Sequence, residues 1–219
     1  MTRLYGEQHR QLQDEFGTRA MADRVEELVC RTEFDEGAIG FIQSVEMFYL
    51  SSIDHQGRPT VSYKGGDAGF VKVLDSTTLI FPSYDGNGMF FSMGNINGNP
   101  QVGLLFMSFE TPNRLRVQGT ASISKEPALM QHYKEADFVV TVKLSEFWQN
   151  CPRYIPKYQK VRDSRYVPRT HCETPLAGWK QLDLVQDVLH EKDRKQAEEI
   201  GIIGIEEWVG KIQSGDNEA

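Results

Sequence analysis

"NRLRVQGTASIS", residues 113–124, alternates along its length: Leu115, Val117, Ala121 and Ile123 fall on one side of an extended chain, and Arg114, Arg116, Gln118, Thr120 and Ser122 on the other. Successive side chains of a strand point to opposite faces, so the pattern dictates a strand with one face in a core, and it aims two guanidinium groups the same way. Working outward, residues 46 to 144 hold further short runs of the same kind: "MFYLSSI", "PTVSYK", "GFVKVL", "TTLIF", "VGLLFM" and "FVVTVKL". "DHQG" and "LDST" read as hairpin-like turns between them. Strands this closely spaced predict an antiparallel barrel or sandwich rather than parallel βαβ units.

The flanks differ. Between Glu7 and Arg31 the chain is charged with a weak helical stripe, Leu12 and Phe16, then, after Gly17, Met21, Val25, Leu28 and Val29, which predicts one or two amphipathic helices. "YDGNGMFFSMGNINGNP", residues 84–100, interrupts the strands. Asp85, Gly86 and Asn87 precede Met89, Phe90, Met93 and Ile96, which predicts a turn leading into a short capped helix whose first amides lack acceptors in their own helix. After residue 150 turns and mixed charge dominate; helical spacing returns over Leu182 to Leu189 and at Ile205, Trp208, Val209 and Ile212. The predicted organisation is a helical segment over 1–45, a barrel over 46–150 and a loop and helix extension over 151–219, with residues 214–219 frayed.

The 219 residues, 39% hydrophobic and 25% charged, suffice for one main core. A net charge of -7 argues against a protein built around a nucleic-acid backbone, so any basic site must be local. No apolar run is long enough to span a membrane and "MTRLYGEQHR" lacks the apolar region of a secretory signal, which leads to the expectation of a cytoplasmic protein. Cys30, Cys151 and Cys172 are too scattered for a disulfide framework or a zinc ribbon, and "THC" at 170–172 reads as a polar loop rather than a metal site.

Three features point to an anionic ligand. Thr60, Ser62 and Lys64 of "TVSYKGG" share a strand face, and Gly65 and Gly66 permit a close backbone approach. "FPSYDGNGM", residues 81–89, is a strand end leading to a helix start, where free amides and the helix dipole favour negative charge. Arg114 and Arg116 are the third. Each has a plainer reading: a solvated lysine beside a bulge, an ordinary helix cap, a solvated outer strand face.

The run "GRPTVSYKGG" through "GFVKVLDSTTLIFPSYDGNGMFFSMGNINGNPQVGLLFMSF" to "RLRVQG" resembles the pyridoxamine 5'-phosphate oxidase-like FMN-binding family, over residues 45–145 and most strongly in "NPQVGLLF" and "RLRVQG". The resemblance implies a split antiparallel β-barrel, a homodimer and FMN at the subunit interface. Ser62, Tyr63, Lys64 and Gly65 would line the flavin from one strand, and Phe81, Pro82, Ser83 and Tyr84 would pass its ring or ribityl chain. Asn87, Gly88 and Met89 would hold the helix-start place where pyridoxamine phosphate oxidases carry Ser-Arg-Lys, so two basic phosphate ligands are missing. Lys64, Arg114, Arg116 and the helix-start amides are then the available replacements, and the paired arginines read as an anion clamp inside or beside the barrel.

The Arg-x-His ending of the family's substrate segment is not visible, so a small molecule other than pyridoxamine phosphate is the expected substrate. Arg153 and Tyr154 are weak candidates for contacting it. Cys151 is either a redox thiol or a small buried residue. The leading functional reading is an FMN-dependent oxidoreductase, with a nicotinamide as one conceivable reductant and no catalytic residue identified. The second is a flavin protein without turnover, a redox sensor, or a barrel that holds a deazaflavin or haem. The third, a nucleic-acid module, conflicts with the acidic total.

Overall fold

The computed structural model describes residues 3–216, in two compact units that divide at Asp163 and Ser164. In the first, among the described residues, seven strands form one antiparallel sheet: β1 (Met47–Ile53), β2 (Pro59–Gly65), β3 (Lys72–Asp75), β4 (Thr78–Tyr84), β5 (Gln101–Ser108), β6 (Asn113–Ser124) and β7 (Ala136–Asn150), ordered β2-β1-β5-β6-β7-β4-β3. This is the split antiparallel barrel with helices that the sequence predicted.

The quoted stretch is β6 from end to end. Leu115, Val117 and Ala121 are buried while Gln118, Thr120 and Ser122 are exposed, so the alternation sorts the two faces as read. Phe48 sits at the middle of the core, its ring 5.0 Å from Phe81, 5.1 Å from Phe106 and 5.9 Å from Phe70. These rings bury large apolar areas in favourable offset and edge geometries. β7 runs past the predicted end at Leu144, because a register shift opposite Gln118 and Gly119 accommodates Ser145 and lets pairing resume. β4 is buried on both faces from Thr78 to Pro82. Pro82 is tolerated because the pairing of β4 with β3 ends at Ile80, so its missing N–H interrupts no ladder there.

Before the sheet come α1 (Glu7–Glu15), α2 (Arg19–Val29) and α3 (Glu36–Ser44), with α1 and α2 broken at Gly17 as the sequence indicated. Their stripe is largely unburied: Leu12, Phe16, Met21, Val25 and Leu28 all remain exposed. The chain is fastened to the sheet after α2, where Arg31 and Phe147 exchange both backbone hydrogen bonds, at 2.9 and 2.8 Å. α3 then buries Ala38 and Ile42, and Asp35 caps it by accepting the Ala38 N–H at 2.8 Å. α4 (Phe91–Gly98) lies between β4 and β5, and α5 (Pro127–Met130) between β6 and β7.

The second unit holds α6 (Glu191–Ile200) and α7 (Ile205–Ser214) around buried Leu176, Leu182 and Ala197. Buried Lys180 is ion-paired with Asp193 at 2.7 Å. The helix expected over Leu182 to Leu189 is instead a short 3-10 turn, Asp183–Val185, and the helix lies downstream in α6. That helix is almost wholly polar with only Ala197 buried, so it offers no stripe to read. α7 occupies the place its spacing indicated. The predicted frayed end falls partly outside the described residues, at 217–219.

Candidate functional site

β2 carries polar residues on the face that turns inward: Thr60, Ser62 and Lys64 stand opposite Ser52, Leu50 and Phe48 of β1. Polar groups at the edge of a core need partners. Thr60 Oγ1 finds Ser52 Oγ at 2.9 Å, and Ser62 Oγ accepts from Ser92 Oγ of α4 at 3.0 Å. Lys64 is half-buried and has no carboxylate partner among the described residues.

Ser62, Lys64 and Ser92 line a cavity of about 290 Å³ together with Ser83, Tyr84, Gly86, Asn87, Gly88, Met89, Phe90, Phe91 and Met93. One wall is the first turn of α4. Its first intrahelical hydrogen bond runs from the Gly94 N–H to the Phe90 carbonyl at 2.7 Å, so the amides of Phe91, Ser92 and Met93 have no acceptor in their own helix. The lip is apolar: Met89, Phe90 and Phe91 are each about half exposed or more.

The helix begins later than the sequence suggested. Its N-cap is Phe90, at φ 45° in the left-handed region, and neither Asp85 nor Asn87 caps it. Asn87 instead folds its own turn, its side-chain oxygen accepting the Met89 N–H at 3.1 Å. The Phe90 ring packs on Phe138 at 5.7 Å, and the ammonium of Lys125 lies 4.7 Å from the Phe138 ring centre.

Among the described residues, Lys64 is the only cationic side chain in the cavity wall. Desolvation pushes its ammonium below the ordinary lysine range, because the charged form has given up water without gaining a counter-ion. Tyr84 moves the other way, up to about 12, chiefly through burial and further through the Asp67 and Glu135 carboxylates. Its phenol is therefore neutral at physiological pH, able to donate a hydrogen bond and not to act as a base. Hydroxyls, helix amides and one unneutralised ammonium make a donor-rich set that suits a phosphoryl group.

The cavity thus gathers seven of the residues singled out by sequence: Ser62, Lys64, Ser83, Tyr84, Asn87, Gly88 and Met89. The others lie elsewhere. Tyr63 points to the opposite face of β2, 63% exposed, against Tyr49 at 6.4 Å. Its ring covers Gly65, where a β-carbon would meet it at 2.7 Å. Phe81 and Pro82 are buried and do not line the cavity, because β4 is sealed on both sides at that point.

Arg114 and Arg116 stand on the outward face of β6, outside this cavity, so within one chain they do not clamp a ligand held there. Arg116 donates to the Asn150 side-chain oxygen, and Arg114 Nε is buried without a hydrogen-bond partner. Cys151 is exposed rather than buried. Tyr154 is 89% exposed with the Arg153 guanidinium 5.2 Å from its ring centre, and neither lines the cavity. Gly86, Phe90, Phe91 and Met93, which the sequence suggested only as turn and helix residues, also line the cavity, and reading the sequence overlooked Ser92. The signal for Ser92 was its spacing from Asn95, two polar residues three apart that share a helix face with the apolar Met93 and Ile96 beside them. Among the described residues no group of three or more His, Cys, Asp or Glu could hold a metal ion, and no helix is long and apolar enough to cross a membrane.

The sequence profile described as pyridoxamine 5'-phosphate oxidase matches residues 34–151, more than half of the chain. None of the curated proteins matches. Among solved structures, a candidate pyridoxamine 5'-phosphate oxidase from Lactobacillus delbrueckii is 20% identical, with 54% of this chain and 95% of that one covered and a TM-score of 0.43. HupZ from Group A Streptococcus is 14% identical, over 57% of this chain and all of its own, also with a TM-score of 0.43. An FMN-binding protein from Syntrophomonas wolfei is 10% identical, with 64% of this chain and 97% of that one covered and a TM-score of 0.41.

Proposed function

This chain belongs to the pyridoxamine 5'-phosphate oxidase family, and on that premise we propose that it binds FMN and acts as an FMN-dependent oxidoreductase on a small molecule. The observation that carries the reading is Lys64: a half-buried ammonium without a carboxylate partner, in a cavity that also presents the Ser62 and Ser92 hydroxyls and the first turn of α4. A charge-assisted hydrogen bond to phosphate would restore to the ammonium what burial has taken from it. The donor set fits the phosphoryl end of FMN although the helix start carries no basic side chain.

When bound, the flavin supplies hydride chemistry, and the protein's part is to bind, orient and shield it. Lys64 and the two serines hold the anionic end. Tyr84, kept protonated, donates from the wall, and Met89, Phe90 and Phe91 form an apolar lip that excludes water from the bound ring.

The arginines enter through a second copy of the chain. Register places Tyr63, Tyr49, Leu105, Arg116 and Trp148 in one row across the outward sheet face, with Arg114 in the next row. Such a face, mixing aromatic groups with arginine, is suited to a twofold interface. Packed there, a partner's cavity would receive Arg114, whose Nε lacks a partner, or Arg116. A cytoplasmic setting is part of this reading, in keeping with Cys30 and Cys151 standing outside any disulfide.

The test is the absorption spectrum of freshly purified protein, mass identification of what denaturation releases, and an FMN titration of the stripped chain. Flavin absorbance and a dimer by light scattering support the proposal; a colourless chain that ignores FMN ends it. A dimer that binds FMN yet is not reduced by any nicotinamide and turns over no substrate would favour the redox-sensor alternative. Release of haem or a deazaflavin would move the cofactor assignment.

A further inference from the structure

α4 needs holding in place. Its N-cap, Phe90, sits in a left-handed conformation that disfavours residues other than glycine, and the helix is only eight residues long, too short to be stable by itself. Met93 and Ile96 bury its underside but fix no particular rotation, since apolar contacts are not directional.

Rotation is fixed by Asn95. This side chain is 8% exposed, and its amide donates to both Ser52 Oγ at 3.1 Å and Thr60 Oγ1 at 3.2 Å, two hydroxyls already bonded to each other. Three residues earlier on the same helix face, Ser92 bonds Ser62, which lies two residues beyond Thr60 on the same face of β2. A three-residue helix step rises about 4.5 Å and a two-residue strand step about 6.8 Å, so the two bonds together admit only a narrow range of axial position and rotation. The next residue along that strand face is Lys64.

Resting on the assignment of the cavity to the phosphate of FMN, we propose that Asn95 is a positioning residue. Through Ser52 and Thr60 it locks α4 in the rotation that turns its first amides toward the anion held by Lys64 and keeps Ser92 donating to Ser62, whose own hydroxyl proton is left for that anion. Asn95 does not itself line the cavity, so it acts only through α4, and its effect is largest where the α4 amides and Ser92 meet the phosphate.

The experiment titrates stripped wild-type protein, Asn95→Ala and Thr60→Val with FMN and with riboflavin, which lacks the phosphate. Asn95→Ala weakens FMN about tenfold and riboflavin much less; Thr60→Val does the same to a smaller degree, and the double variant is no worse than Asn95→Ala. Equal losses for both flavins, or none for FMN, overturn the proposal. Should Asn95→Ala fail to fold, Thr60→Val alone decides by the same FMN-to-riboflavin split. The cofactor assignment fails separately, if wild type binds neither flavin. Inorganic phosphate is then the probe: a thermal shift in wild type that Asn95→Ala loses sustains the positioning role, and an equal shift in both overturns it.

Discussion

A β-carbon on Gly119 would lie 2.3 Å from the carbonyl oxygen of Lys143 and 2.8 Å from a methyl of Val142, closer than real contacts allow. The approach lies beside the register shift at which β7 carries its extra residue, Ser145. Gly119→Ala must push two central strands apart, at a cost of about 1–3 kcal/mol. Its chemical denaturation midpoint is expected to fall accordingly; an unchanged midpoint would mean the strands are not this close.

That glycine marks the border of what could be read in advance. β6 was legible from Asn113 to Ser124 because its two faces differ in polarity at nearly every step. β4 showed as the strand run "TTLIF", but Thr78 to Pro82 are buried on both sides, so alternation could not say which of its residues border a cavity, and only the family resemblance put Phe81 and Pro82 beside a ligand. In the site, β2 declared itself through Thr60, Ser62 and Lys64. The helix start did not, because Phe90 adopts a backbone conformation that the residue type disfavours, while Asp85 and Asn87 supply a stronger capping signal that the fold leaves unused. The arginine pair was correctly put on one face, but alternation cannot tell which face borders the cavity.

Asp54 closes the hairpin that brings β2 to β1. Its carboxylate, 2% exposed, accepts the Gln56 and Arg58 N–H groups at 2.9 Å each and pairs with the Arg58 guanidinium at 2.7 Å. These bonds, the Arg58 N–H first, hold its carboxyl below the usual aspartate range. A carboxyl with a depressed folded pKa stabilises the protein above its unfolded value, near 4, and that contribution is lost as pH falls through the lower folded value. Asp54→Asn should therefore melt a few degrees below wild type at pH 7, with the gap closing in acid. A gap that persists unchanged to pH 2 would show that the charge is not what matters.

Lys64 gives the opposite pH signature. Its folded pKa is lowered by desolvation, so the folded state gives up the proton first and stability rises with pH between the folded and the ordinary lysine values. Below that window the free protein carries the full penalty of a half-buried ammonium with no counter-ion. Lys64→Met keeps the apolar stem and removes the charge, so stripped Lys64→Met is expected to melt above stripped wild type at neutral pH, with the difference shrinking as the solution becomes alkaline. FMN affinity should respond inversely. A charged hydrogen bond is worth about 1.5–3 kcal/mol, so the variant loses about 10- to 100-fold in FMN binding, and only wild type shows affinity falling as pH passes through the Lys64 pKa. A residue retained at a cost to the empty protein is one kept for its ligand. If Lys64→Met is no more stable and binds FMN as wild type does at every pH, the ammonium is a solvated surface charge and the phosphate site must be sought elsewhere.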